Sequence, residues 1–314
     1  MQVPQFADIE NAHRLIAPFI HRTPVLTSES INRIVGAELF FKCENFQKVG
    51  AFKFRGACNS VFSLSESEAG NGVCTHSSGN HAAALALAAQ MRGITAYIVM
   101  PENAPQIKKK AVAGYGARIT YCKPTLEARE STLRQVAAET GAPEIHPYNY
   151  FNVICGQGTA AKELIEDAGP FDIVLCPVGG GGLLSGTALS TKYLLPNARI
   201  IATEPAGADD AFRSFYSKTL VPSVAPRSIA DGLLTSLGSL TFRVILNNVD
   251  QVVTVSEENI IAAMRIVWER MKIIIEPSSA VPLAALLENK VNVKGKKAGI
   301  ILSGGNVDLE KLPF

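Results

Sequence analysis

Short apolar runs alternate with longer stretches of helical periodicity along most of the chain, and that alternation restricts the folds open to it. AELFFKCE, GVCTHSS, TAYIVM, ARITYC, FDIVLCPVGG, ARIIATE, QVVTVS and KAGIILSGG read as strands. GNHAAALALAAQMRG, LEARESTLRQVAAETG, GTAAKELIEDAG and SEENIIAAMRIVWERMK read as helices. Strands separated by helices of this length predict an α/β fold of parallel sheets flanked by helices on both faces. IVLCPV and AGIILS fit that arrangement, because a strand buried on both sides need not alternate. With 314 residues, 47% of them hydrophobic, the chain can bury a large core and divide into two lobes.

Several of these strands end in glycine or small polar residues just where a helix begins: Ser77 to Asn80, Gly179 to Gly182, and Ser303 to Asn306. Ligands of open α/β sheets bind beyond the carboxyl ends of the strands, where helix N-termini offer unpaired N–H groups. Three such loops predict one convergent anionic site. PVGGGGLLSG follows a strong strand, so its amides can wrap a phosphate with no Cβ in the way.

Two readings of that loop are open on the residues alone. A nicotinamide-dependent dehydrogenase needs G-x-G-x-x-G, with an acid about one strand later to hold a ribose, and Glu204 closing RIIATE has that spacing. The loop itself reads G-G-G-L-L-S or G-G-G-G-L-L, a poor match that suits a single phosphate better. The segment VGAFKFRGA sets Lys53 between Phe52 and Phe54, where desolvation lowers an ammonium pKa and makes a neutral nucleophile available.

Other function classes are disfavoured. The formal net charge is +2 and the longest basic run is Lys108-Lys109-Lys110, so no nucleic-acid partner is expected; the triplet reads as a solvated helix face. Six scattered cysteines without a C-x-x-C pair predict reduced, buried thiols and a cytoplasmic protein. No apolar run approaches a membrane span, and the N-terminus carries acids where a secretory leader is basic, so a soluble, unprocessed chain is expected.

ENFQKVGAFKFRGA, SSGNHAAALALAA, GQGTAAKEL, PVGGGGLLSG, EPAGADD and LSGGNVD occur in an order and spacing that resemble the pyridoxal-phosphate enzymes of the tryptophan-synthase-β fold type. Within that group the chain is similar to the serine racemases and the dehydratases of serine, threonine and 3-hydroxyaspartate, from about Thr23 to Asp308. The resemblance implies pyridoxal 5′-phosphate in an interdomain cleft, a large domain of residues 1–71 and 150–314, and a small mobile domain of residues 72–149. It implies that Lys53 carries the cofactor and acts as base on one face, with Phe52 behind the ring. Asn80 would bond the ring hydroxyl, Gly179, Gly180, Gly181 and Gly182 would cup the phosphate, and Ser303 would face the pyridine nitrogen. A serine does not hold that nitrogen protonated, so the ring becomes a weaker electron sink.

Ser77, Ser78, Asn80 and His81 resemble the substrate-binding loop, which clamps the α-carboxylate at a helix N-terminus, with Arg129 as its partner. Ser78 matches the second base, opposite Lys53, that inversion at Cα demands. EPAGADD resembles a divalent-cation loop, with Glu204, the Ala208 carbonyl and Asp210 as ligands to Mg2+, or to Ca2+ or Mn2+; this reassigns Glu204 from ribose to metal. The implied activity is a serine racemase with dehydratase activity on β-hydroxy amino acids. The alternatives are an L-threo-3-hydroxyaspartate or threonine dehydratase and, outside that chemistry, the dehydrogenase or an amino-acid-binding regulatory protein. Val49 and Tyr148 depart from the mammalian racemase pattern toward the fungal hydroxyaspartate dehydratases. The implied partners are a small amino-acid substrate, a second subunit in a homodimer and a nucleotide effector.

Overall fold

A computed structural model describes residues 2–104 and 106–314. Its strands, in chain order, are β1 Val25–Thr27, β2 Glu38–Cys43, β3 Val73–His76, β4 Ala96–Pro101, β5 Arg118–Cys122, β6 Ile173–Pro177, β7 Arg199–Pro205, β8 Gln251–Val255 and β9 Lys297–Leu302. They build a six-stranded sheet in the order β1-β2-β9-β6-β7-β8 and a three-stranded sheet β3-β4-β5. Every neighbouring pair is parallel except β1 with β2. β6 and β9 sit centrally, with Val174 opposite Gly299, and IVLCP is buried at every position.

Each strand expected from the sequence forms, with ends shifted by no more than three residues. β1 was not expected; it is three residues long and pairs only at the sheet edge. The helix read from Gly158 starts at Phe151. Its first two turns contain the glycines that let two other helices approach it. A Cβ on Gly156 would stand 2.6 Å from Gly56 Cα, and one on Gly186 would stand 2.4 Å from the Gly158 nitrogen. Lys53–Phe62 and Gly182–Leu194, the helices that follow the lysine and the glycine loop, are thus docked on one common helix, Phe151–Ala168. That shared support fixes the lysine and the phosphate-cup candidate relative to one another.

Beneath the lysine lies a fully buried ionic cluster. Arg55 donates to both carboxylate oxygens of Glu44, at 2.7 and 2.8 Å, and to both of Glu163, at 2.9 and 2.7 Å. Lys42 pairs with Glu163 at 2.7 Å. Two cations and two anions balance there, and Thr23 and Thr159 accept or donate the remaining bonds. All six cysteines are free and buried, and burial pushes the thiols of Cys43, Cys58 and Cys155 up to about 12. No helix among the described residues is long and apolar enough to cross a membrane.

Candidate active site

The three loops read from the sequence converge. A cavity of about 640 Å³ opens between the carboxyl ends of the two sheets. Ser77, Ser78, Gly79, Asn80 and His81 reach it after β3, Gly179 to Gly182 after β6, and Ser303 and Asn306 after β9. Phe52, Lys53 and Arg129 complete the set of expected residues lining it. Glu204, Ala208 and Asp210 do not line it.

Lys53 is positioned by backbone pairing. Phe52 N donates to the Ser303 carbonyl at 2.9 Å, Gly305 N donates to the Gly50 carbonyl at 2.9 Å, and Ala51 bridges Gly304, so the lysine turn is zipped to the loop after β9. Lys53 Nζ donates to the Pro147 carbonyl at 2.8 Å and stands 5.2 Å from the centre of the Phe52 ring. Burial brings its pKa down to about 8, against the opposing pull of Glu276. The amine is therefore partly neutral near physiological pH, as a carbonyl-directed nucleophile requires.

Gly181, at φ 87, caps the helix Gly182–Leu194, whose first residues line the cavity with their N–H groups free of intrahelical partners. The ring of Tyr148 lies over the glycines: a Cβ on Gly180 would stand 2.3 Å from it. Tyr148 is held by its hydroxyl, 2.9 Å from Thr235 Oγ1. Gly180→Ala should therefore displace Tyr148 and close the loop, lowering affinity for a phosphate-bearing cofactor by at least about tenfold in a binding titration, since overpacking costs about 1–3 kcal/mol; unchanged affinity would remove the loop from the site.

The buried hydroxyl of Ser278 lines the cavity with no hydrogen-bond partner. An unpaired polar atom, a desolvated amine and a glycine cup suit a polar, phosphate-bearing cofactor. Ser303 Oγ lies 3.1 Å from Ser279 Oγ, leaving it a hydroxyl and not a carboxylate to offer a ring nitrogen.

His81 stands in the first turn of a helix with its ring turned into the protein. Its ring is 2% exposed and Nε2 meets the Ile145 carbonyl at 3.0 Å. Burial, with Lys53 nearby, pulls its pKa to about 3, so the ring is neutral and carries no charge for a carboxylate. Its backbone N–H, in the first turn of Asn80–Arg92, is the part that can serve a clamp. Arg129 lines the cavity with Nε 3.4 Å from the Thr125 carbonyl.

Lys108, on the solvated helix face read from the triplet, donates to Asp231 Oδ2 at 2.8 Å across the cavity rim. Glu276, absent from the sequence-based set, and Asn306, named there only as the end of the third loop, line the same space. The acid in IIIEPSS offered the only signal for Glu276: an acid between an apolar run and a proline that opens a helix.

Glu204, the penultimate residue of β7, is fully buried and accepts from Ala211 N at 3.0 Å and Phe212 N at 2.9 Å. It does not line the cavity described above, so the dehydrogenase reading has no ribose-holding acid there. Burial pushes it up to about 9 and Asp210 up to about 6. Asp210 Oδ2 accepts from Leu237 N at 3.2 Å, while its Oδ1 is buried without a partner. Among the described residues no group of three or more His, Cys, Asp or Glu side chains gathers into a metal cluster.

Residues 16–304 match the family described as "Pyridoxal-phosphate dependent enzyme". This chain belongs to that family. It is 51% identical over 314 residues to a beta-hydroxyaspartate dehydratase of Paracoccus denitrificans, covering 100% of both chains. It is 47% identical to the L-threo-3-hydroxyaspartate ammonia-lyase of Saccharomyces cerevisiae, covering 99% of this chain and 96% of the relative. The crystal structure of the serine racemase from Dictyostelium discoideum superposes with a TM-score of 0.94 at 54% identity, over 97% of this chain and 99% of that one. As a pyridoxal-phosphate enzyme the chain is a catalyst and not a regulatory amino-acid binder, and the glycine cup and Lys53 amine are the features that fit the cofactor.

Proposed function

We propose that the protein is a serine racemase with dehydratase activity on L-serine and related β-hydroxy amino acids. The observation that carries this reading is that Lys53, with its depressed pKa and its turn paired to the loop after β9 of the larger sheet, and Ser78, after β3 of the smaller sheet, line one cavity. When bound, the pyridoxal group supplies the electron sink that acidifies the α-proton. Lys53 holds or removes that proton on one face. Ser78 gives or takes it on the other, which racemisation needs and L-dehydration does not. The Ser77–His81 loop and Arg129 hold the α-carboxylate. In dehydration the β-hydroxyl leaves, and the net change is amino acid to keto acid plus ammonia, the water lost being regained in hydrolysis.

We also assign residues 72–149 to a small domain that closes on residues 1–71 and 150–314 and excludes water. The buried free thiols support a reducing, cytoplasmic setting. Phe46 and Ile274, 45% and 47% exposed, support a homodimer contact, checked by sedimentation. Repeating assays with added nucleotide tests an effector.

A panel of serine enantiomers, threonine and L-threo-3-hydroxyaspartate tests the substrate class. Tyr148, over the glycine loop, and the two relatives named for hydroxyaspartate favour a dicarboxylic substrate as the second reading. Ser78→Ala should abolish serine racemisation and turnover of D-serine while L-dehydration survives; racemisation at the parent rate removes Ser78 as second base.

Glu204, Asp210 and the Ala208 carbonyl would hold a divalent cation with water completing the shell, Mg2+ or in its place Ca2+ or Mn2+, and the unpaired Asp210 oxygen supports this. Chelation should then lower activity and melting temperature together, with Mg2+ restoring both. Insensitivity of both to chelator contradicts the site.

A further inference from the structure

Glu276 takes no part in the roles above, yet it is 4% exposed and lines the cavity at the N-terminus of helix Pro277–Leu287. Asn80 Nδ2 donates to its two carboxylate oxygens, at 3.2 and 3.1 Å. Asn80 Oδ1 in turn accepts from Asn306 Nδ2 at 2.9 Å, and the same Nδ2 donates to the Val49 carbonyl at 2.7 Å. The direction of this chain is set at both ends, because a carboxylate and a backbone carbonyl only accept. Val49 sits at φ 58 and ψ 13, which a β-branched residue adopts only under constraint, so its carbonyl is not free to adapt. The Asn80 amide cannot turn over without setting oxygen against oxygen. One N–H shared between the two Glu276 oxygens leaves the other for an acceptor in the cavity.

We propose that Glu276 is a positioning residue for the cofactor: by accepting from Asn80 it locks that amide so that its remaining N–H donates to an anionic oxygen of the pyridoxal group. The proposal rests on the assignment of Asn80 to the cofactor's ring hydroxyl. Lys53 from helix Lys53–Phe62, Lys108 from helix Gln106–Gly114, Asp231 and the Asn306 N–H are the charged or polar groups that act on Glu276 besides Asn80. Burial, opposed by the Asn80 bond, raises its pKa to about 7. Above that pH the carboxylate accepts only and the lock holds; below it the acid can donate as well as accept, so the amide's orientation is held less firmly. Cofactor affinity should rise as the pH rises through about 7.

The experiment is a double-mutant cycle read as cofactor dissociation constants at pH 8, with circular-dichroism melts of the cofactor-free proteins as the folding control. Glu276→Gln should weaken binding roughly tenfold, as expected for loss of a charged hydrogen bond. In an Asn80→Ala background the same change should cost less than about twofold. Glu276→Asp, which keeps an acceptor-only group, should recover most of the affinity. Wild-type affinity in Glu276→Gln, the full loss persisting without Asn80, or no recovery by Asp each overturns the proposal. Wild-type affinity in Asn80→Ala alone overturns the Asn80 assignment, and this proposal with it.

Discussion

Lys53→Ala should yield a folded protein that lacks the visible absorption of a lysine-bound cofactor and has lost turnover by at least about 10³-fold, the scale of a base and nucleophile removed together. The fold should survive because the side chain's one hydrogen bond is to the Pro147 carbonyl, and alanine is a good helix former at the start of Lys53–Phe62. The amine is singled out by its surroundings. Burial among Phe52, the glycine loop and the loop after β9 lowers its pKa to about 8, so the reactivity of the cofactor-free amine should increase with pH through that value. Normal absorption and turnover in Lys53→Ala would remove the lysine from the mechanism.

Arg55→Met should destabilise the fold more than any of the cavity substitutions. Arg55 is fully buried, and its removal leaves Glu44 and Glu163 with Lys42, and with His13 at 3.3 Å from Glu163, to balance them. Breaking such a buried pair costs about 3–5 kcal/mol, because the surviving charge is neither solvated nor paired. Burial alone would raise Glu163, but hydrogen bonds from His13 and Arg55 hold it well below the usual carboxylate range. A depressed carboxyl contributes stability above its unfolded pKa and loses it as the pH falls, so the network should weaken in acid. Arg33→Ala is the contrast: Arg33 and Glu29 are 75% and 84% exposed, and that change should fall within about 0.5 kcal/mol of the parent. Denaturant midpoints measure both, and similar values for the two variants would contradict the network's role. Because Arg55 lies two residues beyond Lys53, the same variant should also lose cofactor.

The sequence announced the strands and the converging loops because both are local. IVLCP needs no partner to read as a buried strand, and a strand that ends in glycine or serine marks a ligand-facing turn wherever it lies. What escaped is set by contacts distant in sequence. Lys53–Phe62 shows no helical stripe because it is buried nearly all round and interrupted by Gly56, a residue that makes sense only against Val153 and Gln157. The extra turns at Phe151 were hidden for the same reason. Glu276 is 196 residues from Asn80, and nothing local says that they meet. The helix N-terminus at His81 was legible, while its ring's partner, the Ile145 carbonyl, lies 64 residues away. The lysine triplet reads as a solvated face, and nothing local says that Lys108 meets Asp231 across the cavity rim.

Incubating the holoenzyme with L-serine in heavy water, and then measuring chirality and Cα deuterium in the recovered serine together with keto acid formed, tests the two-faced proton transfer most directly. The account predicts D-serine labelled at Cα, accompanied by keto acid and ammonia. Recovered L-serine without label, with no D-enantiomer and no keto acid, would contradict it.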